Sequence, residues 1–143
     1  MELYTESAPV ATENFINLAE AGYYDGLGFH RIAPGFVIQG GDPNGDGTGG
    51  PGYTIEDEPV VGEYVRGTVA MARTREPDSQ GSQFFVVLAD GVKDRLPKAG
   101  GYVIFGNVTE GMEVADQIVS MPREGETPDD PVIMESVTVD RPG

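Results

Sequence analysis

The sequence predicts a mostly-β single domain spanning residues 1–143, and three observations lead there. Glycine and proline are abundant, 21 and 11 of 143 residues, which means many turns and few long helices. Apolar stretches are short and bounded by turn residues, at 28–32, 36–40, 68–72, 83–88, 103–108 and 133–140, each the length of a strand. Helical periodicity occurs only twice. Many short strands with two helices argue for a closed antiparallel barrel whose ends the helices plug, although a sandwich has the same composition.

Taken in order, 9–21 places Ala11, Phe15, Leu18 and Ala19 on one helical face. Ser7 and Ala8 precede Pro9, which suits a first helical turn, and Gly22 provides a stop. The second helix, 111–121, turns Met112, Ala115, Ile118 and Val119 inward and ends at Pro122. In 133–140, Val137 and Val139 alternate with Ser136 and Thr138, the period of a strand. The acidic stretch 123–131 has no apolar period and reads as a solvated loop.

Composition excludes several functions. The chain has 24 acidic and 9 basic side chains, a net charge of −15, which repels nucleic acid and anionic membranes. No apolar run approaches the ~18 residues of a membrane span, and no signal-peptide pattern precedes the first acidic residues. Cysteine is absent, so disulfides and thiolate metal sites are impossible, and a cytoplasmic location is expected. Only two of the basic residues are lysines, Lys93 and Lys98, and tryptophan is absent. This balance leads us to expect a halophilic protein, whose self-repulsion salt screens.

The most informative run is 29–42, Phe29-His30-Arg31-Ile32-Ala33-Pro34-Gly35-Phe36-Val37-Ile38-Gln39-Gly40-Gly41-Asp42. It sets an arginine that cannot be deprotonated beside an apolar patch, a combination suited to an uncharged substrate with one carbonyl oxygen to hold. A second run follows at Gly81-Ser82-Gln83-Phe84-Phe85-Val86. Together and in this order they resemble the cyclophilins, peptidyl-prolyl cis-trans isomerases that bind cyclosporin, and the resemblance covers nearly the whole chain. It decides for an eight-stranded antiparallel barrel capped by two α-helices. It also implies a first strand preceding the segment that Glu2-Leu3-Tyr4 resembles. Either the true start lies upstream or the barrel lacks a strand and exposes an edge; a start lying upstream is the expectation.

By resemblance, the activity is acceleration of X–Pro rotation in unfolded or flexible polypeptides, with no cofactor or metal, in a monomer acting as a general folding helper. Arg31, Gln39 and Phe85 are the catalytic residues. Arg31 would hold a carbonyl oxygen and favour a pyramidal proline nitrogen, and Gln39 would steady the guanidinium or contact the substrate. Phe36, Val37, Leu96 and Tyr102 would line the proline pocket, and Ala72 and Gln83 would contact the peptide backbone. Singly, an arginine in a strand is more often a surface ion-pair partner, and the phenylalanines would be core. The joint pattern reverses that reading. His30 points away from Arg31 in strand alternation, and no proton is transferred, so it reads as a structural hydrogen-bonder.

Departures from the family pattern are specific. Many members carry tryptophan beside the position matched by Leu96, and that residue is associated with tight cyclosporin binding, so only weak binding is expected here. Many have histidine where Tyr102 stands, methionine at Val37 and asparagine at Arg73. The stretch 91–101 aligns poorly. Two further motifs tempt. Residues 42–47 begin like a calcium loop, yet Tyr53 stands where the twelfth-position glutamate belongs. Residues 45–50 have the G-x-G-x-x-G spacing, yet Pro51 and Gly52 follow instead of a helix. Both read as an acidic, glycine-rich loop beside the active site.

Overall fold

The computed structural model describes residues 1–96 and 101–140. Five strands form within a residue of their expected places: β2 (Phe29–Ala33), β3 (Val37–Gly40), β4 (Thr68–Met71), β5 (Phe84–Val87) and β6 (Ile104–Asn107). With β1 (Glu2–Leu3) they make one antiparallel sheet in the order β1-β6-β4-β5-β3-β2. The two helices are α1 (Pro9–Glu20) and α2 (Met112–Val119).

The apolar runs are continuous because β4 and β5 are buried along their whole length. Successive strand residues face opposite ways, so one run feeds two cores. Ile38, Val69, Met71, Phe84 and Val86 join Phe15 and Leu18 of α1 and Ala115 and Ile118 of α2 in the larger core. Val37, Ala70, Phe85 and Val87 face the other way and form a smaller cluster with Phe36 and Ile104. Phe15 anchors the larger core, with ring centroids 5.1 Å from Tyr24, 5.2 Å from Phe105 and 5.8 Å from Phe84. Tyr24 is fully buried and donates its hydroxyl to Ser82 O at 2.9 Å.

Helix α1 has Ala8 as N-cap and no local side chain to cap it. The carboxylate of Glu58 does so instead, accepting from Val10 N at 3.0 Å and Ala11 N at 2.8 Å. A distant residue thus satisfies two of the amides that a helix start leaves free.

Three expectations need correction. The hydrogen-bonded sheet joins six strands rather than eight, and β1 and β2 end it without pairing to each other. The other two strands, β7 (Arg123–Glu124) and β8 (Thr127–Pro128), pair as a small hairpin in what reads from sequence as a solvated loop. The strand expected at 133–140 is reduced to a bridge between Gly28 and Ile133. Phe29 N still donates to Val132 O at 3.1 Å, and Met134 N to Leu27 O at 2.8 Å. Beyond Met134 the ladder stops, and Glu135 and Ser136 are both exposed. Val137 N then donates to the Asp25 carboxylate at 3.1 Å rather than to a neighbouring strand. Val137 and Val139 nevertheless pack on the larger core, as their period requires.

Candidate active site

Register places the three expected catalytic residues in one row. Arg31 pairs with Gln39 across β2 and β3, and Gln39 with Phe85 across β3 and β5. Neighbouring strands lie roughly 4.8 Å apart, so the three side chains start side by side on the face of the smaller core. Ala33, Val37 and Val87 form the next row on that face. A four-residue turn, Ala33 to Phe36, joins β2 to β3 and closes through Phe36 N to Ala33 O at 3.0 Å. Pro34 and Gly35, the latter at φ 71°, supply the backbone of a type II turn, which delivers Phe36 to the cavity rim.

That face holds a cavity of about 310 Å³. Arg31, Phe36, Val37, Gln39, Ala72, Phe85, Leu96 and Tyr102 all line it. Eight of the nine residues expected from sequence therefore meet at one pocket. The ninth, Gln83, lies in a larger adjoining hollow of about 780 Å³, which shares Gln39, Ala72 and Arg73 with the first. The poorly aligned stretch 91–101 is described except for 97–100, and its described residue Leu96 lines the pocket. The Phe85 and Tyr102 rings meet edge to face at 5.6 Å. Tyr102 N donates to the Tyr64 hydroxyl oxygen at 3.0 Å, which fixes the pocket wall. Burial pushes the Tyr102 phenol up, against the pull of Arg73 and Arg31, so it stays a neutral donor at pH 7.

The polar groups are arranged less simply than expected. Arg31 Nε donates to Glu126 Oε1 at 2.8 Å, from the turn between β7 and β8. The guanidinium carbon sits 5.7 Å from the Phe36 ring centroid. Gln39 does not bond Arg31 here; its Nε2 donates to Gln83 Oε1 at 3.0 Å. Gln83 Nε2 in turn donates to Gly47 O at 3.0 Å and Gly49 O at 2.9 Å. The two glutamines thus brace the glycine-rich loop against β3.

Asp42 organises that loop from beneath. It is 2% exposed and accepts from Asn44 N at 2.8 Å and Asp46 N at 3.0 Å, and also from Gly47 N. Burial pulls its carboxyl upward, but the amide bonds from Asn44, Gly47 and Asp46 outweigh this and hold it below the ordinary value. A Cβ at Gly49 would collide with Asp42 Oδ1, so the loop folds over the carboxylate only with glycine there. Asp42 is therefore committed to backbone amides rather than presented as a cation ligand. Among the described residues no cluster of three or more His, Asp or Glu could hold a metal ion.

His30 is the inserted residue of a bulge, where the β2–β3 register shifts between Phe29 and Arg31. Its Nδ1 is buried with no hydrogen-bond partner among the described residues. Burial lowers its pKa below the ordinary value, Asp42 and Asp46 pull it up, and Arg31 adds to the lowering. The bulge gives the imidazole a position off the β2–β3 ladder.

Sequence reasoning missed three charged residues. Glu126 lies 95 positions from Arg31 and carries no local signal. Arg73 has a side chain only 4% exposed, pairs with Asp57 at 3.1 Å and lines both hollows. Asp57 also accepts from Gln80 Nε2 and Asp78 N, each at 3.0 Å. Arg95 ends a 3₁₀ turn, Val92–Arg95, with its guanidinium carbon 4.5 Å from the Phe36 centroid.

An open apolar pocket with guanidinium donors at its rim can bind a neutral ring and hold an adjacent carbonyl. Its described lining residues include no pairing of nucleophile and base. Comparison with known proteins agrees. The model of the family described as cyclophilin type peptidyl-prolyl cis-trans isomerase/CLD matches residues 1–139. The chain is 48% identical over 117 residues to peptidyl-prolyl cis-trans isomerase B of Bacillus subtilis (strain 168), covering 80% of this chain and 78% of that protein. It is 37% identical over 149 residues to peptidyl-prolyl cis-trans isomerase A of Dickeya dadantii (strain 3937), covering 97% and 77%. The crystal structure of a Cryptosporidium parvum cyclophilin type peptidyl-prolyl cis-trans isomerase, in the presence of the dipeptide Ala-Pro, superposes with a TM-score of 0.86 at 35% identity, covering 99% of this chain and 91% of that one. The chain belongs to the cyclophilin-type peptidyl-prolyl cis-trans isomerases, and shares their mostly-β fold with two helices.

Proposed function

We propose that the chain accelerates rotation about X–Pro bonds in flexible polypeptides by binding the proline ring in the 310 Å³ cavity while Arg31 stabilises the twisted amide. The observation that supports this most is the Arg31–Gln39–Phe85 row opening onto one apolar pocket. The Ala-Pro dipeptide used with the Cryptosporidium parvum relative is the minimal form of such a substrate.

No covalent bond is made or broken in this reaction, so catalysis consists of binding the twisted amide better than either planar form. Each tenfold of rate takes about 1.4 kcal/mol of selective binding. Twisting localises a lone pair on the proline nitrogen, and a guanidinium donor gains most at that moment. Glu126 holds Nε and so aims the remaining Nη donors. Both members of the pair are substantially exposed, 38% and 53%, so its value lies in orientation more than in stability. Phe36, Val37, Phe85, Leu96 and Tyr102 take the ring, while Ala72 and Gln83 meet the peptide as it crosses into the larger hollow.

NMR exchange on a Pro peptide tests the reading. Wild type is expected to catalyse exchange, and Arg31→Ala to lower kcat/KM by about a hundredfold while peptide affinity falls by only about fivefold. Binding without any rate gain would identify a proline-binding module instead. The same reading takes the chain as monomeric and cytoplasmic, only weakly bound by cyclosporin, and adapted to high salt. It also takes 126–134, which already bonds β2 through Ile32 N to Glu126 O at 2.7 Å, as the segment that completes a barrel.

A further inference from the structure

Three of the chain's nine basic residues, Arg31, Arg73 and Arg95, line the 310 Å³ cavity. Two have carboxylate partners, Glu126 and Asp57. Arg95 has none among the described residues, and neither 97–100 nor 141–143 contains an acidic side chain. Its hydrogen bond runs from Nη1 to Gly35 O at 3.3 Å, which leaves the rest of the fork without a partner among the described residues.

The position of Arg95 is fixed rather than loose. Val92, 2% exposed, roots the 3₁₀ turn in the smaller core, and Leu96 on its other side lines the same cavity. The guanidinium rests on the Phe36 ring at 4.5 Å, a contact that holds a cation in place without neutralising it. A planar fork so placed matches the two oxygens of a carboxylate. The surrounding molecule carries net charge −15, so an acidic peptide gains nothing from the general field and must be recognised at short range.

We propose that Arg95 biases this pocket toward proline segments carrying an aspartate or glutamate within two residues of the proline. The inference rests on the cavity being the proline site. It assigns to Arg95 a role in specificity, separate from the twisted-amide chemistry of Arg31.

The test uses blocked Pro peptides with Glu, Gln or Lys at each of the two positions on either side of proline. The quantity read is the Glu:Gln ratio of kcat/KM within each enzyme, so a general loss of activity in a variant does not enter. Between wild type and Arg95→Gln the ratio is expected to fall by about two- to fivefold at one or more positions, the worth of a partly exposed ion pair. Arg95→Lys should keep part of the preference and Arg95→Glu should turn it toward the Lys peptide. The effect should shrink between 0.1 and 1 M KCl. Equal ratios in wild type and Arg95→Gln at every position would overturn the inference while leaving the proline site intact. No catalysis of any peptide by wild type would overturn the underlying reading instead.

Discussion

Asp42 acts through a fold-back of the acidic turn that it begins. One carboxylate gathers three amides and sets the loop that Gln39 and Gln83 brace beside the pocket. Its lowered pKa gives the expected pH dependence a sign. The unfolded carboxyl titrates near 3.9, so the stabilisation is complete above about pH 4 and is lost as pH falls through the lower folded value. Asp42→Asn should cost about 1–3 kcal/mol at pH 7, with the gap to wild type narrowing as pH falls toward 2.5 in urea titrations. A gap that stays constant across that range would contradict the assignment. Arg31, Gln39 and Phe85 were legible only through the resemblance of 29–42 and 81–86 to the cyclophilins; the strand register brings them to one row. Glu126 and Arg95 were not, because their contacts with the site cross 95 and about 60 positions of chain.

The strands at 68–72 and 83–88 were readable because burial on both faces leaves a nearly unbroken apolar run, and those within 28–40 and 103–108 because short apolar stretches end at turn residues. The segment 133–140 misled because alternation reports which side a residue faces, not whether its amide joins a ladder. Helix α1 shows the converse: its apolar face was plain, but its cap was invisible. Pro9 and Ala8 provide no side-chain acceptor, and the two free amides are taken by Glu58 from the loop before β4. A carboxylate there also meets the positive end of the helix dipole. Glu58→Ala should destabilise by about 1–2 kcal/mol, and Glu58→Gln by less, since its amide oxygen can still accept one bond. Hydrogen exchange should show the loss first at Val10 and Ala11. Equal protection of those amides in all three proteins would remove the cap from the account.

The charge of the whole molecule sets its response to salt. Nine cations cannot match 24 carboxylates, and an excess of 15 negative charges remains whatever the pairing. The pairs at Arg31, Arg66 and Arg73 are local arrangements within that excess, and the Arg66–Asp116 pair is itself largely exposed. Like charges repel in the compact state more than in the extended chain, so folding works against the field. Salt relieves this as the Debye length shrinks from about 10 Å at 0.1 M to about 3 Å at 1 M. The melting temperature should therefore climb by about 6 °C over that interval, equivalent to roughly 2 kcal/mol for a domain of this size. General salting effects on apolar burial would raise it too, so a charge variant is needed to separate them. Glu6, Glu56 and Glu135 are exposed; changing all three to lysine moves the net charge from −15 to −9. If repulsion is the cause, the variant melts higher than wild type at 0.1 M KCl and the two curves converge by 1 M. Parallel curves would assign the salt response to apolar burial, and a flat wild-type curve would remove the case for adaptation to high salt.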